Sequence, residues 1–123
     1  FTNSKKVGYL LAKEGMDRIS EGRGDFLPEA TELGIQFLSK DNQPFFLMSE
    51  GSQIDWGGHD NDAPYLVSEL IDFDNTIGKV LDFAEQDGNT LVIVTSDHET
   101  GGFTLASKKN TLQMVKSMTI IRK

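Results

Sequence analysis

The chain contains no cysteine. Disulfides and thiolate metal sites are therefore excluded, and cysteine usage says nothing about redox compartment. Proline is scarce, with three residues, and so is histidine, with two. No apolar run approaches the ~20 residues of a membrane-spanning helix. No secretory signal pattern is present either. The chain opens on Phe1 rather than Met, so a preceding segment is expected and the missing signal does not locate the protein. Basic residues are in the minority, 12 against 19 acidic ones, for a formal net charge of -7. Nucleic acids and anionic membranes attract basic surfaces, so this balance argues against both as partners. It leaves an anionic substrate open, because bound divalent cations would reverse the local field.

What is present is ordinary for a soluble globular protein, with 37% hydrophobic and 25% charged residues. The length suits one small domain. There is no internal repeat and no low-complexity tract. Val7-Gly8-Tyr9-Leu10-Leu11 reads as a short buried strand, and Glu21 to Asp25 as a loop. Pro28 suits the first turn of a helix, and Ala30, Leu33, Phe37 and Leu38 give it one apolar face to about Lys40. Phe45-Phe46-Leu47-Met48 is a continuous apolar run after a turn, which fits a strand buried on both faces, with Met48 and the phenylalanines in the core. Leu66, Leu70, Phe73, Ile77, Val80 and Ala84 step at helical period, and Gly88 breaks that helix. Thr90-Leu91-Val92-Ile93-Val94-Thr95 is rich in β-branched residues and reads as a second strand.

Strand, helix, strand predicts a βαβ unit in an α/β fold with a mainly parallel sheet, its strands near 45–49 and 90–95. Ligands of such sheets bind beyond the carboxyl ends of the strands. Both strands run there into polar clusters: Glu50-Gly51-Ser52-Gln53-Ile54-Asp55-Trp56-Gly57-Gly58-His59, and Thr95-Ser96-Asp97-His98-Glu99-Thr100-Gly101-Gly102. The two clusters hold both histidines. Imidazole with carboxylate suits zinc, and all-oxygen shells suit magnesium. The plainer alternative is that Asp, Glu and Gly here serve turns and helix caps. Asp60 and Asp62 are read as solvated or capping residues. Trp56 fits either a pocket wall or a packed loop anchor. Ser52, Ser96 and Thr100 lie in no nucleophile motif such as G-x-S-x-G and are read as turn or supporting residues.

The run from Phe45 to Asp55 resembles the F-F-L-x-x-E-G-x-x-I-D segment of alkaline phosphatases, with His59 in place of their D-x-x-x-H histidine. Asn89 to His98 is similar to that family's N-T-L-V-I-V-T-x-D-H strand and ligand pair. The resemblance covers about Pro28 to Leu105, and Trp56 and Glu99 to Gly102 look like bacterial members. It implies a partial three-layer alkaline-phosphatase-like sandwich. It also implies that Asp55 and His59 bind one zinc, that Asp97 and His98 bind a second, and that Glu50 is a ligand of a neighbouring magnesium. The activity implied is hydrolysis of phosphate monoesters through a phosphoserine, in a periplasmic or secreted enzyme for which a homodimer is possible.

The family's nucleophilic serine, its phosphate-binding arginine and its remaining metal ligands fall outside the matched segment, and no histidine follows His98. The expectation is a family member whose isolated chain is inactive. The alternatives are another member of the superfamily, a phosphodiesterase or sulfatase, or a non-catalytic metal-binding module. Residues 1–112 are read as a partial alkaline phosphatase domain and 113–123 as a divergent tail. One set of codons allowed for that tail, read one base earlier, encodes an Asp-Gly turn and a polar segment closer to bacterial members, so a frameshift near Leu112 is one explanation. On that reading residues 113–123 should pack poorly and hold no site residue.

Overall fold

Helix ends follow local chemistry. In the computed structural model, which describes residues 6–102 and 117–122, helix α1 spans Phe26–Leu38 and carries Pro28 in its first turn, where a missing N–H costs nothing. Strand β1 is Phe45–Glu50. Helix α2, Gln53–His59, follows at once. Helix α3 runs over Ala63–Asp87. Asp62 caps it, its Oδ1 accepting from the Tyr65 N–H at 3.1 Å, which is the capping role read for that residue. Gly88 ends it at φ 67°, a left-handed backbone that glycine adopts without Cβ strain. Strand β2 is Thr90–Thr95 and β3 is Ser117–Arg122.

The sheet corrects the expectation of a mainly parallel one. Its strand order is β1-β3-β2, and β3 pairs antiparallel with both neighbours. β1 and β2 do point the same way, as a crossover through helices requires. They are not adjacent, because β3 fills the slot between them running in the opposite direction. Each described ladder is therefore antiparallel.

The tail expectation is corrected by the same strand. Met118 and Ile120 are 0% exposed and belong to the core with Ile35, Phe45, Ile54, Leu66, Phe73 and Val80. Residues 117–122 thus pack at the centre, while 113–116 and 123 lie outside the described residues. Strand alternation sends Met118 and Ile120 toward α1 and α3. Ile120 sits in register with Leu47 and Val92, both packed against the same core.

Two further expectations change. Residues 7–11 form no strand, and Leu10 is fully exposed. β1 is buried on one face only: Phe45 is in the core, whereas Phe46 and Met48 are 62% and 61% exposed. The continuous apolar run implied two covered faces, but helices pack on just one among the described residues.

A buried charge group ties the segment before α1 to α3. Arg23 Nη2 donates to Glu69 Oε2, and to Asp72 Oδ2 at 3.0 Å. Glu69 Oε1 also accepts from the Ile19 N–H at 2.9 Å. Burial pulls the Arg23 guanidinium down, but its hydrogen bonds to Glu69 and Asp72 outweigh this and raise it overall. Burial also raises the Asp72 carboxyl above the usual 3.8, against the opposing hydrogen bond from Arg23. Breaking such a group from one side leaves a buried charge uncompensated, which is costly.

Ile120→Ala should lose about 2–5 kcal/mol of stability, the usual cost of a large-to-small core change. Urea unfolding measures this, and a loss below about 1 kcal/mol would remove β3 from the core. A second expectation concerns pH. A carboxyl raised in the folded state contributes stability that is full below its unfolded value and lost as pH rises through its folded value. Asp72→Asn abolishes that titration. The variant should gain on the native chain as pH rises from about 4 toward neutrality. A stability difference that stays constant with pH would contradict the raised carboxyl.

Candidate metal centre

The register puts both candidate clusters on one sheet edge. Glu50 at the end of β1 and Thr95 at the end of β2 both lie opposite Ser117. The chain leaves β1 through Gly51-Ser52 and turns directly into α2, where the Ile54 and Asp55 N–H groups donate to the Gly51 and Ser52 carbonyls at 3.1 Å each. Four residues apart on a helix, Asp55 and His59 share one side. His59 Nε2 lies 3.6 Å from Asp55 Oδ2. From the loop after β2, His98 Nε2 lies 3.6 Å from Asp55 Oδ1 and 3.8 Å from Asp97 Oδ2. The half-buried Asp55 carboxylate thus stands between two exposed imidazoles.

His98 is held in a defined pose. Its Nδ1 lies 2.8 Å from the Glu99 carbonyl oxygen, and its backbone N–H donates to Asp97 Oδ1 at 3.0 Å. A proton on Nδ1, shared with that carbonyl, leaves the Nε2 lone pair facing Asp55, the arrangement a metal-ligating histidine uses.

Glycines bring the two clusters together. A Cβ on Gly57 would lie 2.9 Å from the Leu66 Cα and N, so α2 rests on the backbone of α3. A Cβ on Gly58 would overlap Thr100 Oγ1, and one on Gly101 would lie 2.7 Å from the Gly58 carbonyl oxygen. The loop carrying Asp97 and His98 therefore packs on the bare backbone of α2.

Glu50 shares the edge but faces elsewhere. It is exposed and lines a separate hollow of about 60 Å³ with Arg23, Ser52 and Glu69. Among the described residues, no three histidine, aspartate or glutamate side chains converge as a metal site. The donors meet in pairs. Their 3.6–3.8 Å separations are near those of two ligands each about 2 Å from one ion. The donor types fit zinc, and the number gathered falls short of a closed shell.

The other side of α2 was not legible beforehand. A hollow of about 410 Å³ is lined by Met16, Arg18, Trp56, His59 and Tyr65 among others. The Arg18 guanidinium sits 3.8 Å over the Tyr65 ring. Tyr65 Oη donates to Gln53 Oε1 at 2.7 Å, and Gln53 Nε2 donates to the Met16 carbonyl at 2.7 Å. Burial raises the Tyr65 hydroxyl above its usual value, with the Glu69 charge adding to it. No local pattern couples residues 16–18 with 53 and 65, so no sequence signal marked them. Trp56 is half exposed, its ring against Gly15, so it is both a wall of this hollow and an anchor.

The family model for alkaline phosphatase matches residues 10–119. The chain belongs to the alkaline phosphatase family. Alkaline phosphatase 3 of Bacillus subtilis is 48% identical over 100 residues, which cover 80% of this chain and 22% of that protein. The repressible alkaline phosphatase of Saccharomyces cerevisiae is 53% identical over 64 residues, covering 51% of this chain and 11% of that protein. The solved alkaline phosphatase of the Antarctic bacterium TAB5 superposes with a TM-score of 0.79 at 50% identity, covering 96% of this chain and 40% of that one. A histidine-to-glutamate mutant of that enzyme, with magnesium bound in its M3 site, gives the same TM-score. The chain thus spans about a fifth of the bacterial relative's length. The fold is that of the family, though the described sheet is antiparallel, and metal ions as cofactors follow at family level.

Gly57→Ala should push α2 off α3, because the atoms it meets are backbone. Such overpacking costs about 1–3 kcal/mol. Urea unfolding would measure it, and a neutral or stabilising effect would show that the helices do not touch there.

Proposed function

We propose that this chain is the part of a zinc- and magnesium-dependent phosphomonoester hydrolase that supplies five of its metal-ligand positions: Glu50, Asp55, His59, Asp97 and His98. The observation that carries the reading is the Asp55 carboxylate at 3.6 Å from both His59 Nε2 and His98 Nε2. Two segments far apart in sequence contribute to one cluster, and its donors are the types zinc selects. Two zinc ions would use Asp55 with His59 and Asp97 with His98, and one magnesium would use Glu50. When bound, paired divalent ions activate an attacking oxygen and stabilise a leaving one. The chain's own contribution is to hold the donors. The Glu99 carbonyl orients His98, and α2 presents Asp55 and His59 from a helix seated on α3.

Phosphate monoesters are the substrates of this reading. The chain alone lacks the nucleophilic serine and phosphate-binding arginine expected of the complete enzyme, so it is read as inactive in isolation. The complete enzyme would be periplasmic or secreted, and a homodimer fits it. Among the described residues no helix is long and apolar enough to cross a membrane. Family membership favours a phosphatase over a phosphodiesterase or sulfatase, and a non-catalytic metal-binding module is separated from it by experiment.

The chain's two histidines make that experiment direct. Zinc added to the isotope-labelled chain should shift the imidazole signals of both His59 and His98. Asp55→Ala should weaken the His59 response by about 10-fold or more, the scale on which a lost metal-site partner acts. A chimera carrying this segment in the Bacillus subtilis relative should hydrolyse phosphomonoesters, and His59→Ala in it should remove most of that rate. No zinc response at either histidine, or a His59→Ala chimera as active as its parent, would sink the reading. A chimera that binds zinc but cleaves no monoester would favour the non-catalytic module.

A further inference from the structure

Helix α2, which carries Asp55 and His59, is gripped by a segment far before it in the chain. The Met16 and Asp17 carbonyls accept from Gln53 Nε2, at the start of α2, at 2.7 and 3.3 Å. The Arg18 guanidinium lies 3.6 Å from Asp60, which caps the end of α2, and 3.7 Å from Asp62 at the head of α3. Between these points the Trp56 ring lies against Gly15, where a Cβ would come within 2.6 Å of it. Residues 15–18 thus form a strap across α2, and the Ile19 N–H fixes the strap to α3 by donating to Glu69 Oε1. The hold is unequal along its length. The Arg18 pairs are part exposed, and exposed ion pairs contribute little. Gln53 and Tyr65 are 5% and 3% exposed. The Gln53 amide is used at both ends, since its Oε1 accepts from Tyr65 Oη at 2.7 Å. Leaving such buried groups without partners is costly.

We propose that Gln53 and Tyr65 are positioning residues for the Asp55 and His59 pair: through the strap they fix where α2 stands, and so where these two donors meet a zinc ion. The inference rests on the zinc reading above. The Gln53 amide is taken up by Tyr65 and the strap, so it acts through the helix and not on the ion. Asp97 and His98 ride instead on the loop after β2, which supplies an internal control.

The test compares the native 123-residue chain with two variants. Tyr65→Phe removes one hydroxyl and keeps the ring, and Gln53→Met removes both amide contacts at similar side-chain length. The readouts are amide hydrogen exchange without metal, and the zinc concentration at half response of each imidazole. Exchange should quicken across α2 in both variants and stay as it was at Val80, in the core on α3. The half-response concentration of His59 should rise about 3-fold in Tyr65→Phe, the scale of one hydrogen bond. In Gln53→Met it should rise about 10-fold, the scale of lost support to a metal ligand. That of His98 should rise less in each. Unchanged exchange in α2, a His59 response like the native one, or equal weakening of both histidines would overturn the proposal. If Gln53→Met unfolds as a whole, exchange at Val80 reveals it and Tyr65→Phe decides. A native chain with no zinc response at either histidine fails the zinc reading itself and takes this inference with it. A native response that both variants retain fails this inference alone.

Discussion

The approach of α2 to its two neighbours depends on two adjacent residues that have no side chain. Gly57 lets α2 touch the backbone of α3 at Leu66, and Gly58 lets the loop at Thr100 and Gly101 press on α2 from the other direction. Without that double contact, Asp55 would ride on a helix held away from the β2 loop, and the 3.6 Å approach of His98 would open. Two glycines in a seven-residue helix carry a propensity cost of about 1 kcal/mol each relative to alanine. Packing offsets it: Ile54, also on α2, is fully buried, and Gln53 links Tyr65 to the segment at Met16. Helix stability has been exchanged here for close backbone approach, and that approach is what unites the candidate ligands.

That exchange also explains what the sequence left unread. α1, α3, β1 and β2 were legible because apolar period and breakers agree with the final packing: Gly88 closes α3 and Asp62 opens it. α2 was invisible, since its helical conformation comes from tertiary contact and its glycines argue for a loop. β3 was missed for another reason. Its apolar residues Met118 and Ile120 alternate correctly for one buried face, but six residues carry too little pattern to show a period. Its place between β1 and β2 is a matter of topology that no local signal encodes. Once β3 is there, a parallel ladder between β1 and β2 cannot form, although their shared direction survives.

For the candidate site, residue types and order were legible and mutual geometry was not. Strand ends leading into Glu50 and Ser96 marked the edge, and the register places both ends opposite Ser117. The clusters suggested separate pairs, Asp55 with His59 and Asp97 with His98. Beside those pairs, the structure brings Asp55 near both imidazoles. A carboxylate has two oxygens and about four lone-pair directions, so one aspartate can face two partners where one imidazole nitrogen cannot. The segment at residues 16–23 was silent for a different cause. Its importance lies in Arg23 and Ile19 meeting Glu69 some fifty residues on, and charge pairing over that distance leaves no periodic trace.

The two halves of this molecule treat charge in opposite ways, and the difference bears on how a site could close. At Arg23, Glu69 and Asp72, two carboxylates and one guanidinium are buried together, so the compensating cation belongs to the chain itself. At Asp55 and Asp97 the described neighbours include exposed imidazoles. The buried group thus carries its own cation inside the fold, whereas the edge cluster keeps its imidazoles at the surface, where solvent reaches them.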